Sequence, residues 1–425
     1  MPHTLVILNR LDIVQATVRA LQFKPQLRDA EFMLRTPAWA VRLESWWPRR
    51  RALRWPADWL GAAGQRRNES RILRRTADAR VVYNVGVPSF EFHRQLVAAR
   101  ERHGFRLVTD MVDAQWLPWF RQFGWGHIDR MLAESDAVFV TNRPLAEYAR
   151  RHNADVQIIP DAPQVEAFDA QRAALRPPAG SPADLTSVAG DGGLEHVGPT
   201  RPGRPIRLGW IGGRDTVFSL HKIHEALEQV AAARPNVELR VLGAPEDRLP
   251  RFEQLRWSTL ERYDQAAMVR EGLQMDIGLF PQHHVTESVC RGALKTKIYM
   301  AAGAVAISER LGENEEIIVD HRNGLLADSV ESWRDAMLWL IDQPERRAAI
   351  AAQALEDMRA HFSAARVGAQ LQAALEQVGR GGSGGVATVG AGSQASRAAG
   401  ANDLAATEVD SSPQRVEQGE DGRPG

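Results

Sequence analysis

The stretch IRLGWIGGRDT, residues 206–216, decides the reading of the fold. Its apolar start, Ile206–Ile211, predicts a buried strand that ends in a turn at Gly212-Gly213. Glycines at such a turn let the backbone approach a ligand closely, and the free N–H groups of a helix behind it would hold an anion. Arg214 and Thr216 stand where side chains could add one charged and one neutral donor. Any α/β turn can carry two glycines, so on these residues alone a plain turn and a phosphate site both stand.

Working downstream, Leu220, Ile223, Leu227 and Val230 mark one face of a helix that closes near Arg234-Pro235. Val237, Leu239 and Val241 alternate as the next strand, and 275–280 and 304–307 repeat the pattern. A helical region follows from 330 to about 378, with a break near Pro344. Upstream, strands are expected at Thr4–Leu8, 79–85, 105–109, 137–141 and 156–159, with helices at 91–102 and 144–151. Short apolar strands alternating with helices predict α/β domains with parallel sheets covered on both faces. Between the halves, 176–204 is rich in Pro, Gly, Ser and Asp and reads as a linker. The expected organisation is a first domain over 1–175, a second over 205–379 with terminal helices, and a disordered tail over 380–425.

Basic and acidic residues balance at 53 each, so no global field points to a nucleic acid or an acidic partner. The single cysteine, Cys290, excludes a disulfide framework and a thiolate metal cluster and suits the cytoplasm. The apolar run at the N-terminus is too short for a signal-peptide core, and no run approaches the roughly 20 residues that span a bilayer.

The densest chemistry lies in ESVCRGALKTKIYMAAGAVAISERLGENEEIIVDHRNGLLA, residues 287–327. Arg291, Lys295 and Lys297 gather at a loop and the first turn of the helix Leu294–Ala302, where the helix dipole disfavours cations and an anion would balance them. Arg291 and Lys295 are read as ligand contacts, and Lys297 as part of a solvated helix face. Gly303 is the expected C-cap.

In order, GWIGGRDT, VELRVLGA, MDIGLFP and CRGALKTKIYMAAGAVAISERLGENEEIIVDHRNGLLA resemble the donor half of the retaining GT-B glycosyltransferases of the large family 4 type, the group 1 glycosyl transferases. LVTDMVDAQW, residues 107–116, is similar to the family's strand that ends in an Asp-rich turn and a Trp. The resemblance implies two Rossmann-like domains facing a cleft, with a nucleotide-diphospho-sugar held mainly by the second and no metal required. Gly212, Gly213, Arg214 and Thr216 would face the diphosphate, with Arg291 and Lys295 neutralising its developing charge. Glu287, Gly292, Ala293, Leu294 and Glu316 would complete the donor site, and Asp110, Asp113 and His93 the acceptor side. Two family glutamates are replaced, by Cys290 and Ile298, and the usual Asp-Asp pair of the turn is reduced to Val112-Asp113. A catalytically silent nucleotide- or glycan-binding module therefore stands as the rival reading.

Two further features invite a role. Residues 36–60 hold Trp39, Trp46, Trp47, Trp55 and Trp59 among Arg42, Arg49, Arg50, Arg51 and Arg54. Ordinary packing, an anionic membrane surface and stacking on a sugar acceptor all fit that mixture. His283-His284 follows a strand, where ligand sites in open α/β sheets lie, and no partner at metal spacing accompanies the pair.

Overall fold

A computed structural model describes residues 4–9, 14–41, 55–118, 120, 126–175 and 204–381, without the side chains of 14, 15 and 55–58. All belong to one compact unit. The expected linker lies outside the described residues apart from Arg204, as does the tail beyond Gly381. Among the described residues no helix is long and apolar enough to cross a membrane.

The first sheet contains β1 (Thr4–Leu8), β2 (Ala30–Leu34), β3 (Val81–Val85), β4 (Arg106–Met111), β5 (Ala137–Val140) and β6 (Val156–Ile158), in the order β2-β1-β3-β4-β5-β6. The second contains β7 (Ile206–Ile211), β8 (Val237–Leu242), β9 (Arg256–Leu260), β10 (Ile277–Phe280), β11 (Val305–Glu309) and β12 (Leu325–Ala327), in the order β12-β11-β10-β7-β8-β9. Every pairing is parallel, and the inner strands are buried on both faces by helices. The strands read from the sequence are present with small differences at their ends. β2, β9 and β12, three of the four edge strands, escaped that reading. AEFML and RWSTL are only half-covered and lack a continuous apolar run.

Local chemistry sets the helix limits. Ser89 caps Phe90–His103 by accepting from the Phe92 N–H, and Gly104 ends it with a left-handed backbone, φ 74°. Gly303 closes Leu294–Ala302 in the same way, as expected. The single helix expected over 220–234 is two, Ser219–Lys222 and His224–Ala233, interrupted at Ile223.

The domain boundaries need correction. Ala364–Gly379, expected with the second domain, packs Val367, Leu371, Leu375 and Val378 against Val6, Val81 and Tyr83 of the first sheet. Val165–Ala174, expected with the first domain, sends Val165 and Phe168 into the core formed by Met275, Tyr299 and Ala302. Each half thus contributes its last helix to the other. An apolar helix face announces that it will be buried, not against what.

Candidate active site between the sheets

In the second sheet the strand order reverses between β7 and β10, and the crevice outside the C-terminal ends of the strands at such a point is where open α/β sheets bind ligands. The Tyr299 hydroxyl ties these ends together, accepting from the Ile211 N–H at 2.8 Å and donating to the Leu279 carbonyl at 3.2 Å. The loop after β7 is braced by Thr216, whose Oγ1 accepts from the Gly213 N–H at 3.2 Å.

Over this loop lies Lys295. Its Nζ is 3.4 Å from Thr216 Oγ1, 4.5 Å from the centroid of the Trp210 ring and 5.2 Å from that of Phe280. A Cβ at Gly212 would come within 2.7 Å of the same nitrogen and even closer to Trp210, so only glycine lets the ammonium sit on the backbone. Among the described residues no carboxylate pairs with it. Burial against the aromatic rings, helped by the Arg291 guanidinium, brings Lys295 down to about 7.

Arg291 hydrogen-bonds to Glu287, one turn earlier, and its charge also acts on Asp113 of the opposite sheet. Burial pushes the Asp113 carboxyl up to about 6; Asp161 and Glu287 add to the push and Arg291 opposes it. Gly292 threads this junction, since a Cβ there would lie 2.8 Å from Asp161 Oδ2 and 3.4 Å from Glu313 Oε2. Glu313 then fixes the turn: it accepts from the Ala293 N–H at 2.6 Å and from Lys297 Nζ at 2.7 Å. Leu294 opens the helix, half-buried at the edge of the second core.

Several expectations change here. Lys297 is not on a solvated face; it is fully buried because Glu313, 16 residues away in sequence, folds back to neutralise it. Glu316 turns to the opposite domain, where it pairs with Arg143 at 3.2 Å while half-exposed. Arg214 points away from Lys295 towards Asp247, at 3.4 Å, beside an open cavity of about 410 Å³ lined by Asp215, Phe218 and His221.

On the acceptor side, Asp110 turns into the core and is engaged by the protein itself. It is fully buried and accepts from Arg19 Nη2 at 2.8 Å and from the Tyr83 hydroxyl at 2.6 Å. His93 is likewise buried, hydrogen-bonded to Glu134 at 2.8 Å, and burial holds its pKa below the usual range. Neither reaches the crevice; Asp113 does approach Arg291. Cys290 lies in the core of the first domain, where burial, reinforced by Asp113 and Glu147, pushes its thiol up to about 11. Ile298 is buried in the second core, so neither residue that replaces a family glutamate faces the site.

His284 Nε2 donates to Glu309 at 2.9 Å, and the same buried carboxylate accepts from Lys222 Nζ at 2.5 Å. His283 stacks on the exposed Phe218, ring centroids 5.2 Å apart. Among the described residues no three His, Cys, Asp or Glu stand where they could share a metal ion. Trp46, Trp47, Arg42, Arg49, Arg50, Arg51 and Arg54 lie outside the described residues, as does the side chain of Trp55. The sequence reading missed Trp210, Phe280, Tyr299, Asp161 and Glu313. Trp210, Phe280, Tyr299 and Glu313 lie inside the quoted motifs, yet none was given a site role there.

Residues 220–373 match the family model described as "Glycosyl transferase-like". None of the curated protein sequences matches the chain. HepE of Anabaena, crystallised with UDP and glucose, superposes with a TM-score of 0.61 at 14% identity, covering 88% of this chain and 100% of its own. A glycosyltransferase of Rickettsia africae gives 0.59 at 10% identity, with 89% and 99% covered. Sucrose-phosphate synthase of Thermosynechococcus elongatus gives 0.55 at 12%, with 90% and 100% covered. At these identities the likeness speaks for the fold. The chain therefore has the GT-B architecture, with a glycosyltransferase-like region over residues 220–373.

Proposed function

We propose that the chain is a retaining, metal-independent glycosyltransferase that moves a sugar from a nucleotide-diphospho-sugar to an acceptor hydroxyl of a glycan, lipid or small molecule. The observation that carries this reading is the uncompensated Lys295 ammonium, held over Gly212 between two aromatic rings at the reversal point of the second sheet. Even partly buried, a cation without a carboxylate is costly unless a ligand anion completes it. The leaving nucleoside diphosphate is such an anion, and its charge grows as the sugar–phosphate bond breaks. Lys295, Arg291 and the Gly213 region would stabilise that charge without reorganising, which is the larger part of such catalysis. The structurally similar HepE is crystallised with UDP-glucose, which supports the donor class.

One observation favours a silent binding module instead: Cys290 and Ile298 are both buried where the resemblance places glutamates. Glu287 and Asp113 are the carboxylates left near Arg291. Calorimetry with UDP, GDP and ADP, followed by donor turnover with and without Lys295→Ala, separates the readings. Binding without turnover of any sugar donor favours the module, and absence of nucleotide binding defeats both.

A further inference from the structure

The helix Trp55–Arg75 presents one outward side that nothing among the described residues covers. At 100° per residue, Trp59, Leu60, Arg66, Arg67, Arg71 and Arg74 fall within an arc of about 140°, and all six are exposed. The opposite side is occupied: Ile72 is fully buried, Asn68 donates to the Leu34 carbonyl at 3.0 Å, and Glu69 pairs with Arg35 at 2.7 Å. Trp39 extends the apolar end, because its ring lies against the backbone of Gly64, where a Cβ would meet it at 2.5 Å. Trp39 and Trp59 remain 50% and 58% exposed, far more than tryptophan in a packed core.

The charges on this side are as unpartnered as the rings. Among the described residues Arg66, Arg67, Arg71 and Arg74 make no ion pair, whereas Arg75, just off the arc, is held by Glu31 and Asp78. The one carboxylate among the described side chains of the helix, Glu69, turns inward to Arg35. The result is two tryptophans and a leucine at one end of a comb of four guanidinium groups, a stripe about 22 Å long from Trp59 to Arg74.

We infer that this side of the helix seats the protein on an anionic lipid surface. Indole rings settle at headgroup level, and each arginine near a negatively charged leaflet adds attraction while its alkyl stem lies along the interface. A convex helix side has no walls to enclose a peptide or a nucleic-acid strand, and a planar surface requires none. The contact is peripheral, built on charge with an aromatic anchor, and it does not depend on the sugar-transfer reading.

The test uses the full chain with phosphatidylcholine vesicles, with and without phosphatidylglycerol. Sedimentation with the anionic vesicles alone, released by high salt, is the expected result. Replacing all four of Arg66, Arg67, Arg71 and Arg74 by Ala lowers the partition coefficient by about two orders of magnitude. Replacing them by Lys preserves most of the binding, which keeps the test decisive if the alanine form is poorly folded. Trp39→Ser with Trp59→Ser weakens binding about tenfold. Nucleoside diphosphate binding, measured in parallel, stays unchanged in all three. Equal binding to neutral vesicles, undiminished binding by the alanine variant, or tighter binding to single-stranded nucleic acid than to anionic vesicles at the same ionic strength each overturns the inference.

Discussion

Arg19 and Lys295 are cations in the two halves of one molecule, the first fully buried and the second partly, and they are treated in opposite ways. Arg19 in the first domain is enclosed by Asp110, Asp161, the Tyr83 hydroxyl and the Ile159 carbonyl. Burial alone would lower its pKa, yet Asp110, Tyr83 and Asp161 together raise it. Lys295 in the second domain receives only a long contact from Thr216 and two aromatic rings, and its pKa falls. The first cation has everything it needs from the protein and therefore serves the fold. The second is left incomplete, which is what the proposed diphosphate site rests on. Likeness of architecture thus conceals a division of labour between the sheets.

The largest effect should come from breaking the satisfied network. Asp110→Ala strands Arg19 and the Tyr83 hydroxyl in the core, and removing one partner of a buried pair costs about 3–5 kcal/mol. Urea unfolding measures it. If Lys295→Ala lost as much stability, the contrast between the two cations would fail. The expected outcome for Lys295→Ala is instead a turnover of donor sugar lower by about 10²–10³, with the unfolding midpoint unchanged or higher. Kinetics and unfolding on the same preparation decide it.

A smaller effect sharpens how the site is held. Glu313 is a positioning residue, gripping the Ala293 N–H and Lys297 at the start of the helix that carries Lys295. Glu313→Gln keeps an acceptor for the N–H but leaves Lys297 without its counter-charge. A loss of about 1–3 kcal/mol in unfolding free energy is expected, together with weaker nucleoside diphosphate binding. Glu313→Asp, which retains the charge, should recover part of the binding. No recovery would show that Glu313 supports the core alone.

The sequence carried the second half well because its signals are local. The strand before Gly212, the cap at Gly303 and the cations at 291–295 need only a few neighbouring residues to be read. What escaped was non-local. The burial of Lys297 depends on Glu313, and the enclosure of Arg19 depends on residues 91 and 142 positions away. Asp110 looked like a substrate contact because its strand and turn match a binding pattern. Only the fold shows that its oxygens are already taken. Three of the four edge strands and the partners of the exchanged helices were unreadable for a related reason. Amphipathic patterns specify a face, and its partner is chosen by the assembled chain.

The mildest test of the contrast is pH, where the two consequences of an incomplete cation have opposite signs. With Lys295 at about 7 in the folded chain and 10.5 when unfolded, the unfolded state binds more protons between these values. Stability contributed by this group therefore rises with pH across that window, as the folded chain sheds a charge that it cannot neutralise. A diphosphate needs that charge, so its affinity should fall over the same range, by up to about tenfold per unit above 7. Asp113, at about 6 when folded and 3.8 when unfolded, costs stability as pH rises through 3.8–6 and adds nothing to the slope above it. Calorimetric titration with UDP at several pH values, beside thermal melts, should show affinity and stability diverging. Lys295→Met should flatten both. If affinity and stability instead moved together, or the slopes survived the substitution, Lys295 would be one more satisfied cation, and the distinction between the two halves would disappear.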